Sequence, residues 1–537
     1  MKRCFLLCFI TITQAYSQGV TLSGSVKDMV SLAAIDSARI DIVNTLNPSD
    51  RYTLYTDAGG LWSLTVGVND EPGLPSSFTL AQNYPNPFNP STKISFTTPV
   101  AGNVLFSVYT ILGQLLDRRL YTLDAGSHTL DWISKGASGV LLYTMECGGK
   151  RITRKMIQLD GRGNGGLGPV TTSLTRAGAS MTLKPGDATY TITATKLIYM
   201  PDTATANGSS VIDFDLETVH HHAFVFDLHN DVMEKAILGY QIGIRNTTGQ
   251  SDIPRFREGG MDAQMFALWT DYSDTVAHPA YAYTLQMADT FNAQVARNSG
   301  EIGQARSYNE LMQLHAEGKI AGVLAIEGGH AIENNIDKLK TFYALGARYL
   351  TITWNNSTSW AVSAQDSRSS TVGLSDFGRQ VVRTLDSLGM LIDVAHTGIK
   401  TIWDILATTK NPIIDTHAGA RALNNHYRNL TDQQIDSIAA RGGVIGVVFY
   451  PQFLSPSRTA TIDTVIRHID YIRNRAGIDC IAVGSDYDGI DTVPVGLEDV
   501  SKLPNLTAAL LRRGYSIEDV HKILGGNFLR VFQQVCR

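Results

Sequence analysis

Eight short apolar runs constrain this chain more than any other feature. They are AFVFDL (223–228), MDAQMFALW (261–269), AGVLAIE (321–327), ARYLTITW (347–354), MLIDVAH (390–396), PIIDTH (412–417), GGVIGVVF (442–449) and CIAVGSD (480–486). Short, nearly continuous apolar runs of this kind read as strands buried on both faces. Helical stretches lie between most of them. In FGRQVVRTLDSLG, residues Phe377, Val381, Leu385 and Leu388 fall on one helical face, and TDQQ at 431–434 has the form of a capping box before IDSIAARGG. Alternation of strand and helix calls for a parallel sheet, and eight strands are the number that closes one. Residues 221–537 are therefore expected to form a (β/α)8 TIM barrel.

The polar residues of these runs sit at one end. His229 and Asp231 follow the first run, Glu327 ends the third, His396 the fifth, His417 the sixth and Asp486 the eighth. A lone histidine at a strand end is more often a hydrogen-bonded structural residue than a ligand. Six such residues at C-terminal ends are another matter, because a barrel gathers those ends at one mouth. His-x-Asp in extended chain puts imidazole and carboxylate on the same side, suited to one ion. His396 and His417, on neighbouring strands about 4.8 Å apart, can serve a second ion, and the two oxygens of Glu327 can bridge both. Imidazole with carboxylate suits zinc and leaves manganese, iron and cobalt open.

With 537 residues the chain needs more than one core. From Val20 to about Leu216 it shows short alternating runs punctuated by Gly, Pro, Asn and Asp, the mark of β-sandwich modules. The fold class is thus multidomain, with N-terminal all-β sandwich modules followed by the barrel. DGRGNGGLG (160–168) lacks the Lys-Ser/Thr of a phosphate loop, so 160–184 is expected to be a Gly-rich linker. His220, His221 and His222 stand at a domain junction without spaced partners and are likewise read as linker. Residues 1–17 read as a secretory signal: Lys2 and Arg3, an apolar stretch over 4–12, then the small-residue site Ala15-Tyr16-Ser17. No stretch is long and apolar enough to span a bilayer. A net charge of −5 without a Lys/Arg run gives no footprint for nucleic acid. Cys147, Cys480 and Cys536, widely spaced and odd in number, form no disulfide framework, and Cys480 is read as a core residue at a strand start.

Three resemblances follow. LSGSVKD, ARIDIVN and TDAGGLWSLTV, with TYTITAT and VIDFDLE further on, resemble a carboxypeptidase regulatory-like sandwich split over 18–66 and 185–217. Between the halves, 78–159 carries YPNPFNPST (84–92) and a late strand, and resembles the Ig-like secretion-tail modules read by a type IX secretion apparatus. Such modules usually end a chain, whereas this one lies inside another sandwich. Its alternating prolines and asparagines around Phe88 favour an extended segment anchoring one aromatic. Finally, DLHNDV, DIPRFREGGMDAQMFALW, AIEGGHAIENN, LGARYLTITWNN, LGMLIDVAH, ARALNNHYRNLTD and VGSDYDGI resemble the membrane (renal) dipeptidase family across nearly all of 223–537.

That last resemblance implies a dinuclear zinc site bridged by Glu327, with His229 and Asp231 on one ion and His396 and His417 on the other. It further implies that Arg428 holds the substrate's free carboxylate, which suits a planar guanidinium, and that Asp486 handles protons. Many members carry His where this chain has Trp354. An indole can pack against substrate and donate one hydrogen bond, but cannot ligate metal. His330 and His426 are read as supporting residues. The expected enzyme is an exported metallo-dipeptidase acting on small peptides, soluble or held by secretion machinery or the cell surface, with room for a homodimer. Two alternatives stay open: an amidohydrolase acting on a lactone, a phosphotriester or a non-peptide amide, and a surface binding protein with an inactive barrel.

Overall fold

The computed structural model describes residues 20–66, 77–136, 138–159, 164–173, 189–274 and 279–537. The signal expected at 1–17 lies outside them. The chain divides into two compact units, Met1–Thr218 and Val219–Arg537. Among the described residues no helix is long and apolar enough to cross a membrane.

The first unit is built of strands. One sandwich packs Val20–Asp28 and its neighbours against the sheet of Asp202–Asn207, Thr189–Thr195, Arg39–Asn44 and Arg51–Tyr55. Strict alternation drives this packing: Ile40 and Ile42 face inward on one strand, and Tyr190, Ile192 and Ala194 on the next. In this sheet Thr189–Thr195 pairs with Arg39–Asn44, so strands from the two ends of the unit lie side by side. The strands from Thr79 to Ser173 form a second sandwich around Phe96, Phe106, Trp132 and Tyr143. Phe88 of YPNPFNPST is buried in that core, its N–H bonded to the Ile157 carbonyl at 3.0 Å. Part of the stretch expected to be a linker is strand instead: Asn164–Ser173 pairs with Gly126–Lys135. The glycines there answer close approach rather than flexibility, since a Cβ at Gly165 would lie 2.5 Å from Ile133 Cβ.

The second unit holds the eight expected strands. They are β1 (Phe226–Asp227), β2 (Ala263–Trp269), β3 (Ile320–Glu327), β4 (Ala347–Thr351), β5 (Leu391–Asp393), β6 (Ile414–Ala418), β7 (Val444–Val447) and β8 (Ile481–Val483). Each pairs in parallel with the next, and β8 returns to β1, so the ring is closed. A short extra strand, Ile302–Gln304, runs beside the start of β3. Alternate residues point inward: Met265, Val323, Tyr349, Leu391, Ile414 and Val444 fill the interior in one cluster. Each aliphatic side chain so buried contributes roughly 1.5–3 kcal/mol. The helix Asp376–Leu388 buries Val381 and Leu385, and Thr431 and Gln434 make the reciprocal capping box at Asp432–Ala440. Cys480 is buried just before β8.

The histidine triple is not a linker. Val219–His222 is a short helix of this unit, and His220 is buried between the Thr507 hydroxyl (2.7 Å) and the Gly259 carbonyl (2.8 Å). His468 is held likewise, accepting from the Ala420 N–H at Nδ1 (3.0 Å) and donating to the Leu454 carbonyl (2.9 Å). Burial pushes both imidazoles down to about 4. An unfolded chain binds these protons near pH 6.5 and the folded one does not, so stability rises with pH between about 4 and 6.5. Each histidine is expected to remove up to about 3 kcal/mol as pH falls through that window. Thermal unfolding of chelator-treated protein at pH 7 and pH 4.5 measures it, and an unchanged midpoint would contradict the assignment.

Candidate metal centre

Each strand end delivers its side chain for a local reason. Asp231 stands at the N-cap of the helix Val232–Ala236, where an aspartate normally accepts from the first turn, yet its side chain makes no cap bond. Asn230 does that work, its Oδ1 accepting from the Val232 N–H at 3.0 Å, which leaves the Asp231 carboxylate to the interior. Main-chain bonds from Asp486 to the His229 carbonyl (3.2 Å) and from Asp231 to the Tyr487 carbonyl (2.9 Å) tie the loops after β1 and β8 together. His396 and Asp486 both adopt φ 63°, strained for side chains with a Cβ and characteristic of functional sites. At β6 the pairing register shifts between Asp415 and Ala418, and the Thr416 carbonyl presses against β7 and β8. A Cβ at Gly446 or Gly484 would lie 2.0 or 1.8 Å from that oxygen, so only glycine lets β6 turn His417 inward.

The result is a buried cluster. Glu327 Oε1 lies 3.0 Å from His396 Nε2 and 3.7 Å from His417 Nε2, and its Oε2 lies 3.5 Å from His229 Nε2. His229 Nε2 is 3.3 Å from Asp231 Oδ2, and the Nε2 atoms of His396 and His417 are 3.1 Å apart. The opposite ring nitrogens are all engaged: Nδ1 of His229 with the Tyr349 hydroxyl (2.7 Å), of His396 with Asn355 Oδ1 (2.9 Å), and of His417 with the Thr416 hydroxyl (2.9 Å). The Asn355 oxygen can only accept. The two hydroxyls spend their protons elsewhere, Tyr349 toward the Leu228 carbonyl (3.4 Å) and Thr416 toward Asp393 (2.9 Å). Each imidazole therefore carries its proton on Nδ1 and turns its Nε2 lone pair to the centre.

Lone pairs and carboxylate oxygens at such distances repel unless cations lie among them. His229 Nε2 and Asp231 Oδ1 are buried without a hydrogen-bond partner, as groups meant for a ligand would be. Three sets of donor atoms lie close enough for one ion: His229, Asp231 and Glu327; Glu327, His396 and His417; and His229, His417 and Asp486. The donor set fits divalent metal, and Glu327 belongs to two of the three sets. The electrostatics agree. Burial alone would raise Glu327, but His229 and His396 outweigh it and hold the carboxyl well below its usual range. Burial alone would lower His229, yet Tyr349, Asp231 and Glu327 raise it well above the imidazole range, so the field there favours a positive charge. Burial, with Arg428 nearby, pushes His396 down to about 3. Burial, with Asp231 and Glu327 alongside, pushes Asp486 well above the carboxylate range.

The remaining expected residues fall around this cluster. Arg428 is buried beside His417, its Nη2 donating to the His417 carbonyl at 3.3 Å and its guanidinium 5.3 Å from the Phe453 ring centre. Trp354 lies 6.0 Å from the His396 ring and 4.9 Å from Trp269. His330 bonds the Thr270 carbonyl (2.9 Å), and His426 stacks on Phe453 at 4.6 Å. Outside that expected set, Asp488, two residues beyond Asp486, pairs with Lys235 at 2.9 Å. Residues that the sequence did not single out include Tyr349, Asn355 and Thr416, which fix the imidazoles, and Asp393, which accepts from Thr351 (2.6 Å) and Thr416 and so locks three strand ends together. Trp269 and Glu234 were also missed. Burial, with Asp231 and Glu327, raises Glu234 to about 9. Trp269 carried the same signal as the named ligands, since it stands at the C-terminal end of its apolar run.

Comparison with known proteins places this geometry. Residues 215–537 match the family model described as membrane dipeptidase, peptidase family M19, and residues 82–158 match the secretion system C-terminal sorting domain. Dipeptidase tcpJ of Claviceps purpurea is 33% identical over 324 residues, which span 58% of this chain and 76% of that protein. Among solved structures, the metallo peptidase dipeptidase AC is similar at 29% identity and a TM-score of 0.55, covering 58% of this chain and 98% of its own. A metallo peptidase from Rhodobacter sphaeroides, liganded with a phosphinate mimic of the dipeptide L-Ala-D-Ala, is similar at 28% identity and a TM-score of 0.55, covering 58% of this chain and 99% of its own.

Proposed function

Because its match runs over residues 215–537, the chain belongs to the membrane dipeptidase family and is a metal-dependent dipeptidase, and on that premise we propose how its own residues act. His229, Asp231 and Glu327 would hold one divalent ion, and Glu327, His396 and His417 a second, with zinc favoured by the nitrogen and oxygen donors. Bound there, the ions supply Lewis acidity, polarising the substrate carbonyl and lowering the pKa of water. Arg428 binds the free C-terminal carboxylate of the dipeptide and so fixes which amide lies over the cluster. Asp486 takes a proton from the attacking water and returns it to the leaving amide nitrogen. The observation that carries this reading is the convergence of three Nε2 lone pairs and three carboxylates in one buried volume.

The proposal extends to export. The secretory pattern of residues 1–17 and the sorting-domain match over 82–158 support a protein that leaves the cytoplasm and remains in the periplasm, at the cell surface or outside the cell.

A substrate panel on metal-replete protein tests the function. Dipeptides with L- and D-configured C-terminal residues are expected to be hydrolysed, and their C-terminal amides at least roughly 10-fold less well, because the amide offers Arg428 no charge. Metal analysis is expected to find two ions per chain. A lactone or phosphotriester turned over in preference to every dipeptide, or one ion at full activity, would reverse the assignment.

A further inference from the structure

Two indoles stand at the mouth, one of them across it from the arginine. Trp269 ends β2 and pairs in register with Glu327 on β3, so the two side chains leave the sheet on the same inner face. Trp354 follows β4 and lies against both Trp269 and the His396 ring, at 4.9 and 6.0 Å between ring centres. Both side chains are only partly buried. Arg428 lies in the loop after β6, and in a ring of eight β2 and β6 are four strands apart in either direction, on opposite sides of the mouth.

We propose that Trp269 and Trp354 form an aromatic wall that receives the side chain of the dipeptide's N-terminal residue and selects substrates whose first residue is large and apolar. This rests on the reading above that Arg428 holds the C-terminal carboxylate. With that carboxylate on the β6 side and the scissile carbonyl over the cluster, the first residue reaches toward β2. There it meets two tilted rings, which offer a broad apolar surface at little entropic cost. A branched or aromatic side chain loses its water against that surface. Glycine gains nothing from it, and a carboxylate meets the negative face of an aromatic ring.

The test compares kcat/KM for Leu-Ala, Phe-Ala, Gly-Ala, Glu-Ala and Lys-Ala, with Ala-Leu and Ala-Gly as the reversed pair, on metal-replete enzyme. The wild type is expected to prefer Leu-Ala and Phe-Ala over Gly-Ala by roughly 10-fold or more, the scale on which an apolar pocket discriminates. Trp269→Ala and Trp354→Ala are each expected to shrink that ratio to within about 3-fold, chiefly through KM, while leaving the Ala-Leu to Ala-Gly ratio unchanged. Trp269→Phe should restore most of it. Equal use of Gly-Ala and Leu-Ala by the wild type overturns the proposal without any variant. So does a preference for Lys-Ala, which would mark a cation site, or an effect of the variants on the C-terminal residue alone. Failure of the Arg428 reading looks different: full use of C-terminal amides. No hydrolysis of any dipeptide sinks both.

Discussion

Asp486→Asn is expected to lower kcat by about 10²–10⁴, the range for loss of a positioned proton-transfer group, while both metal ions stay bound. The substitution keeps the shape of the side chain and the main-chain bond from residue 486 to the His229 carbonyl, so the loop after β8 has no reason to move. Asparagine cannot take a proton from water or return one to the leaving nitrogen. Asp486 is suited to that work: burial and the neighbouring carboxylates raise its pKa, and it hydrogen-bonds Asp231 within the cluster. Steady-state kinetics with metal analysis of the same sample give the answer. Full turnover in the variant removes Asp486 from the chemistry, and loss of a metal ion along with turnover makes it a ligand instead.

Glu327→Gln should be more damaging, because one carboxylate faces both halves of the cluster. Its Oε1 is shared by His396 and His417, and its Oε2 faces His229. An amide has one acceptor oxygen, so whichever way it turns, one half meets N–H donors and loses a charged ligand. Bound metal is expected to fall below two ions per chain and activity by at least about 10³-fold. Elemental analysis and residual kcat/KM check both, and two ions at more than a tenth of the activity would show that Glu327 does not join them.

The barrel was legible because its signals are local. Each apolar run is a strand, the capping box at Thr431 is a capping box, and the strand-end positions of His229, Asp231, Glu327, His396, His417 and Asp486 are what bring their side chains into one cluster. What stayed hidden depends on register and approach. Asp393 reads as an ordinary strand residue, and only the neighbouring β4 and β6 reveal that Thr351 and Thr416 both donate to it. Gly446 and Gly484 look like interchangeable small residues until the Thr416 carbonyl is found against them. The glycines of 165–168 misled in the same way, since sequence does not distinguish a glycine needed for flexibility from one needed for closeness, as at Gly165. His220 misled because three adjacent histidines at a domain junction resemble a spacer, while one of them is a buried hydrogen-bonded pin.

The strand ends that build the centre also decide when it can exist. Its donors arrive from β1, β3, β5, β6 and β8, and the first and last of these meet only when the ring closes, through the bond from Asp486 to the His229 carbonyl. No early fragment of the barrel assembles the full set, so the emerging chain lacks the complete cluster until Asp486 has joined it. Metal held by donors from strands so far apart in the sequence would tie those strands together, so that the free energy of its capture adds to the free energy of folding. Assembly of the catalyst and completion of the fold are then one event.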